Sequence, residues 1–271
     1  MSNLIYPPFG ENKDIEMYVG NREVRLRRYF EPEPGVFIAE SHNVIELALN
    51  QGFQPMSAVV LEKRLDDPLL ERLDHVPVYV MDEELVKETF GYVLPGGISC
   101  AMRRRDNQDY RLIFENAKRI IVLENVENPT NVGAIFRTAA ALGVEAVLLS
   151  AGCADPMYRR AMRVAVGNTL LVPWAYVGKT ETYWQEKGVE ILKDAGFTTV
   201  AMALRNDNLC IDDPVLKGQE RIAIIMGNEG EGLTESTIEA CDYVAKIPMA
   251  DGVDSLNVAV AAGLVMWEMM K

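Results

Sequence analysis

The chain has 271 residues, 49% hydrophobic and 25% charged, with a formal net charge of −13 and a pI near 4.7. This length supports one large or two ordinary domains. The longest apolar stretch, Val258 to Trp267, is too short to span a membrane. The start, MSNLIYPPFGENKD, has neither the basic nor the apolar region of a secretion signal. The acidity argues against a polyanionic partner, and both parts share it, with 12 basic against 17 acidic residues in 1–105 and 15 against 23 in 106–271. Cys100, Cys153, Cys210 and Cys241 lie far apart without paired spacing and read as reduced thiols of a cytoplasmic protein. With only His42 and His75, a histidine-based triad or metal site is not expected.

In chain order, the first thirty residues read as an N-terminal extension. They carry one basic cluster, Arg22, Arg25, Arg27 and Arg28. GVFIAE, AVVLEK and VPVYVM then read as short strands. HNVIELALNQG reads as a helix with a glycine stop, and DEELVKETFG as another capped by Asp82. Residues 31–105 are therefore expected to form a small α/β domain. Around Pro95 to Glu115 the apolar periodicity fades into a turn-rich, basic stretch containing Arg103 to Arg105, which predicts a linker, drawn at 106–117.

Beyond it, RIIVLE, AVLLS, TTVAMA, RIAIIM and YVAKIP are short, continuous and β-branched, as strands covered on both faces should be. Helical patterns alternate with them: NVGAIFRTAAALG, TYWQEKGVEILKDAG, TESTIEACD and the closing LNVAVAAGLVMWEMM. That alternation predicts a mainly parallel sheet between helices over 118–271. A basic segment, DPMYRRAMRVAVGN, holds Arg159, Arg160 and Arg163; it is either an RNA-facing element or an ordinary loop and helix.

Three turns hold the polar chemistry. NPTNVGAIFRTA follows RIIVLE directly, and taken alone it is a capped strand–helix turn whose Arg137 forms a surface ion pair. IIMGNEGEGL could cradle a phosphate. It lacks the lysine of a phosphate loop, however, and carries Glu229 and Glu231 inside the turn, which suits a cationic ligand better. IPMADGVDSLNVAVA ends a strand at Pro248 and opens a helix that Asp254 or Ser255 could cap.

Together, in this order, NPTNVGAIFRTAAALG, IIMGNEGEGL and IPMADGVDSLNVAVAAGL resemble the three motifs of the SpoU (TrmH-like) branch of the SPOUT RNA methyltransferases. Asn131, Gly133 and Arg137 match the first motif, Asn-x-Gly-x-x-x-Arg. The resemblance implies S-adenosylmethionine-dependent methyl transfer to a ribose 2′-hydroxyl of RNA, and a C-terminal trefoil knot that no local pattern would suggest. The preceding α/β domain is similar to the L30e-like substrate-binding domain of many relatives, which favours ribosomal RNA over tRNA.

The resemblance further implies a homodimer joined through the first-motif and C-terminal helices. It casts Asn131, Arg137, Glu229, Ser255 and Asn257 as catalytic, with Asn131 fixing Arg137. Ala203, Leu204, Gly227, Asn228, Gly232, Ile247, Met249 and Leu256 are expected to hold the cofactor. The basic clusters Arg22, Arg25, Arg27, Arg28 and Arg159, Arg160, Arg163 are the candidates for RNA contact. Two rivals keep the fold: methylation of a base, or an inactive RNA-binding assembly protein suggested by the acidic surface.

Overall fold

The computed structural model describes residues 3–19, 35–106, 108–205, 208–253 and 255–269. Arg22, Arg25, Arg27, Arg28 and the candidate cap Asp254 lie outside them. The chain divides into two compact units, Met1–Asp106 with Met157–Leu170, and Asn107–Pro156 with Leu171–Lys271. Among the described residues no helix is long and apolar enough to cross a membrane.

The first unit contains β1 (Leu4–Ile5), α1 (Lys13–Glu16), β2 (Val36–Glu40), α2 (His42–Asn50), β3 (Pro55–Leu61), β4 (Val78–Met81), α3 (Glu83–Phe90) and β5 (Ile98–Arg103). Its strands form one mixed sheet in the order β1-β4-β3-β5-β2. Asp82 caps α3 by accepting from the Leu85 N–H at 2.7 Å, and Gly91 ends the helix at a φ of 77°. Two boundaries differ from expectation. Residues 3–19 are not an appendage: β1 pairs with β4, and fully buried Tyr18 donates its hydroxyl to the Ser57 carbonyl at 2.7 Å. The stretch expected to begin the linker holds β5, an interior strand antiparallel to both β2 and β3.

In the second unit α4 (Tyr110–Asn116) leads into β6 (Arg119–Leu123), α5 (Pro129–Leu142) and β7 (Ala146–Leu149). The chain then supplies α6 (Arg159–Ala165) to the first unit before returning as β8 (Trp174–Tyr176). There follow α7 (Glu181–Asp194), β9 (Thr198–Met202), β10 (Leu209–Cys210), α8 (Pro214–Lys217), β11 (Ile222–Met226), α9 (Glu235–Ala240), β12 (Tyr243–Lys246) and α10 (Val258–Met269). The sheet order is β10-β12-β9-β11-β6-β7-β8, and every neighbouring pair is parallel. Strands covered on both faces explain the unbroken apolar runs; Ile120 to Leu123 and Ala223 to Ile225 are fully buried.

The sequence pattern puts the segment around α6 in the contiguous catalytic region, either facing RNA with its arginines or as an ordinary loop and helix. In the structure it is built into the first unit. Arg163 makes a two-pronged contact with buried Glu40, at 2.8 and 3.0 Å. Arg159, whose side chain is 10% exposed, approaches the same carboxylate at 3.8 Å. It also donates to the Tyr18 carbonyl and stacks over the Tyr92 ring. Arg159 is thus an internal fastener of the first unit. Arg163 is half-exposed and already ion-paired, and Arg160 is also engaged within the protein.

Candidate functional site

Ligands of parallel α/β sheets collect where loops leave the carboxyl ends of the strands. Here the loops after β9, β11 and β12 meet the residues leading into α10 around a cavity of about 490 Å3. Apolar side chains form much of its wall, among them Met226, Leu233, Ile247, Met249 and Leu256. All eight residues expected to hold the cofactor line it: Ala203, Leu204, Gly227, Asn228, Gly232, Ile247, Met249 and Leu256.

The loop after β11 owes its shape to two features of its sequence. Asn228 and Gly232 exchange backbone hydrogen bonds at 3.1 and 3.0 Å, closing a tight turn. Inside it the Asn228 side-chain oxygen accepts from the Gly230 and Glu231 N–H groups. Gly227 is required by space: a Cβ there would lie 2.4 Å from backbone atoms of both Gly232 and Leu233. Gly232 adopts a φ of 74°, which a side chain would strain.

The expected catalytic residues divide into two groups. Asn131, Glu229 and Asn257 form a chain: the Asn131 amide donates to Glu229, and its oxygen accepts from the Asn257 amide at 3.1 Å. Asn257 also caps α10, accepting from the Ala259 N–H at 2.9 Å, where Ser255 is one of the expected caps. Ser255 and Glu229 line the cavity. Asn131 therefore joins the second and third motifs, and neither of these side-chain hydrogen bonds goes to Arg137. Arg137 is exposed on α5 and makes no hydrogen bond or ion pair with a described residue.

Some site residues gave no signal in the sequence. Arg205, Glu235 and Lys246 also line the cavity. Glu124, at the end of β6 and 1% exposed, accepts from the Trp184 indole at 2.7 Å, the Thr234 N–H at 2.7 Å and the Thr237 hydroxyl at 2.6 Å. It thereby anchors the start of α9 directly beyond the glycine loop.

Apolar walls, bare glycine backbone and an edge carrying Glu229 and Glu231 fit an adenosyl group bearing a positive sulfur. The α10 helix packs against α5, with Gly263 beside Thr138. Its outer side leaves Val260, Leu264 and Trp267 roughly half exposed.

Residues 118–267 match the model of the SpoU rRNA methylase family. An uncharacterized tRNA/rRNA methyltransferase of Mycobacterium tuberculosis is 36% identical over 234 residues, covering 85% of this chain and 79% of that protein. The 23S rRNA (guanosine-2′-O-)-methyltransferase RlmB of Vibrio vulnificus is 32% identical over 231 residues, covering 80% and 88% respectively. The crystal structure of an AdoMet-bound rRNA methyltransferase from Sinorhizobium meliloti superposes with a TM-score of 0.81 at 22% identity, over 98% of this chain and 97% of that one. This last likeness is one of fold.

Proposed function

The chain belongs to the SpoU rRNA methylase family and is an S-adenosylmethionine-dependent RNA ribose 2′-O-methyltransferase; from that premise we propose that its substrate is ribosomal RNA and that Arg137 drives the chemistry. The observation that carries the reading is the convergence of three distant loops on one cleft, tied together by Asn257, Asn131 and Glu229. The donor, when bound, supplies an electrophilic methyl group on sulfur.

The chain's own task is to stabilise a hydroxyl that is protonated near neutral pH and to hold it in line. A guanidinium does not give up its proton. Arg137 therefore grips the adjacent phosphate and stabilises the developing oxyanion, while phosphate or water accepts the proton. That it has no partner among the described residues supports this role, because a guanidinium already committed to a carboxylate could not turn to substrate. Ser255 positions the ribose. Asn131 and Asn257 hold the second and third loops at a fixed separation.

The active form is a homodimer working in the cytoplasm. The stripe Val260, Leu264 and Trp267 supports a subunit contact, since it is apolar, exposed and three to four residues apart on one helix. The first unit is an L30e-like RNA-binding domain. The C-terminal chain is knotted, which the insertion of β12 between the consecutive strands β9 and β10 favours.

The test is methylation with labelled donor, assayed on ribosomal RNA and on tRNA separately, followed by alkaline digestion. A ribose methyl leaves an alkali-resistant dinucleotide. A base methyl or no label overturns the activity, and label confined to tRNA overturns the substrate. Arg137→Ala should slow turnover on the true RNA by about 3 kcal/mol, or a hundredfold, by analogy with loss of an oxyanion donor.

A further inference from the structure

One feature of the cleft is not needed to hold adenosine or sulfur. Arg205, in the loop leaving β9, forms an ion pair with Glu235, the first residue of α9, and both line the cavity. The two side chains are 45% and 61% exposed. An exposed pair of this kind contributes little to folding. Its location is what distinguishes it: a cation and an anion from separate loops, side by side at the edge of an apolar cleft.

The donor ends in an amino acid, which carries a carboxylate and an ammonium on a single carbon. Recognising that group calls for opposite charges held close together. We propose that Arg205 and Glu235 form a clamp for this zwitterion, Arg205 taking the carboxylate and Glu235 the ammonium. The inference rests on reading the cleft as the donor site.

Binding exchanges one ion pair for two, so neither charge is left uncompensated when the cleft fills or empties. The planar fork of arginine matches a carboxylate in two-point contact. The other charged groups on the wall suit the task less well. Glu229 is committed to Asn131. Lys246 has no ion-pair partner among the described residues and so presents a lone charge without its complement. Arg205 also borders a second cavity of about 670 Å3 with Asn208 and Leu209, which leaves space beside its side chain. The Asn208 amide donates to the Ala203 carbonyl, two residues before Arg205.

Calorimetry on the full chain tests the clamp with two ligands, S-adenosylhomocysteine and 5′-methylthioadenosine. They share the adenosine and thioether, and only the first has the amino-acid tail. Arg205→Ala should weaken S-adenosylhomocysteine at least tenfold and leave 5′-methylthioadenosine within twofold. Glu235→Gln should do the same to a smaller extent. Equal losses for both ligands, or no loss for the tailed one, overturn the clamp. So does a tail-specific loss in Lys246→Met with none in Arg205→Ala. If the wild-type protein binds neither ligand, the donor-site reading itself fails, and that result is distinct from the others.

Discussion

Removing the carboxylate of Glu124 should do more damage than its place at a strand end suggests. The side chain is buried and accepts three hydrogen bonds of 2.6–2.7 Å, from the Trp184 indole, the Thr234 N–H and the Thr237 hydroxyl. Hydrogen bonds to a charged acceptor contribute roughly 1.5–3 kcal/mol each. Against their sum stands the cost of burying the charge, several kcal/mol that an alanine no longer incurs. Glu124→Ala should therefore destabilise the second unit by about 4 kcal/mol, leaving two buried donors and one partly buried donor unmet. At roughly 2–4 °C per kcal/mol for a unit of this size, Tm falls by about 8–16 °C. Glu124→Gln keeps the shape and one acceptor but turns an amide N–H toward a donor, so about half that loss is expected. Calorimetric melting measures both. Donor titration well below Tm should also reveal weaker binding, because Thr234 sets where the glycine loop ends. A Tm shift under about 3 °C for the alanine variant would refute the network's importance, and equal damage from glutamine would refute the acceptor argument.

Other expectations follow from single contacts. Gly227→Ala forces the turn after β11 open, since its Cβ would meet the Gly232 and Leu233 backbone at 2.4 Å. A loss of about 1–3 kcal/mol in stability and a clear fall in donor affinity should appear by melting and calorimetry. Gly230→Ala, whose Cβ would meet only the Asn228 side-chain oxygen at 3.5 Å, should be nearly neutral in both. Glu40→Ala leaves the buried Arg159 without its counter-charge and should destabilise the first unit by about 3–5 kcal/mol in urea unfolding. Arg163→Ala, losing a half-exposed partner, should cost distinctly less. Burial pushes the Cys153 thiol up to about 11 and the Cys241 thiol up to about 12. Since the thiolate is the reactive form and a raised pKa keeps the proton on at pH 8, both should resist a disulfide reagent until the protein is unfolded.

Much of this architecture can be read from local pattern because its causes are local. An unbroken run such as Ile120 to Leu123 can be apolar throughout only if both faces are covered, so it marks an interior parallel strand wherever it occurs. The glycines of the β11 loop are visible for a similar reason: each answers to atoms within a few residues. Ser99, Cys100 and Ala101 lack that signal. Small and mixed in polarity, between Pro95-Gly96-Gly97 and three arginines, they read as a linker although β5 is interior to its sheet.

Pairings across long sequence separations are harder to read, because nothing near either partner requires them. Asn131 donates to a residue 98 positions later and accepts from one 126 positions later. Its motif marks the residue as important without indicating what it holds. The arginines of α6 show the same limit from the other side. A run of Arg159, Arg160 and Arg163 in an acidic chain suggests a phosphate contact by charge alone. Yet Glu40, 123 positions before Arg163, is buried at a strand end and needs a cation. A buried carboxylate is tolerable only when paired, and Arg163 and Arg159 of α6 supply its counter-charge within the first unit. Arg137 meets no such demand among the described residues, and the role proposed for it, gripping a substrate phosphate, depends on that.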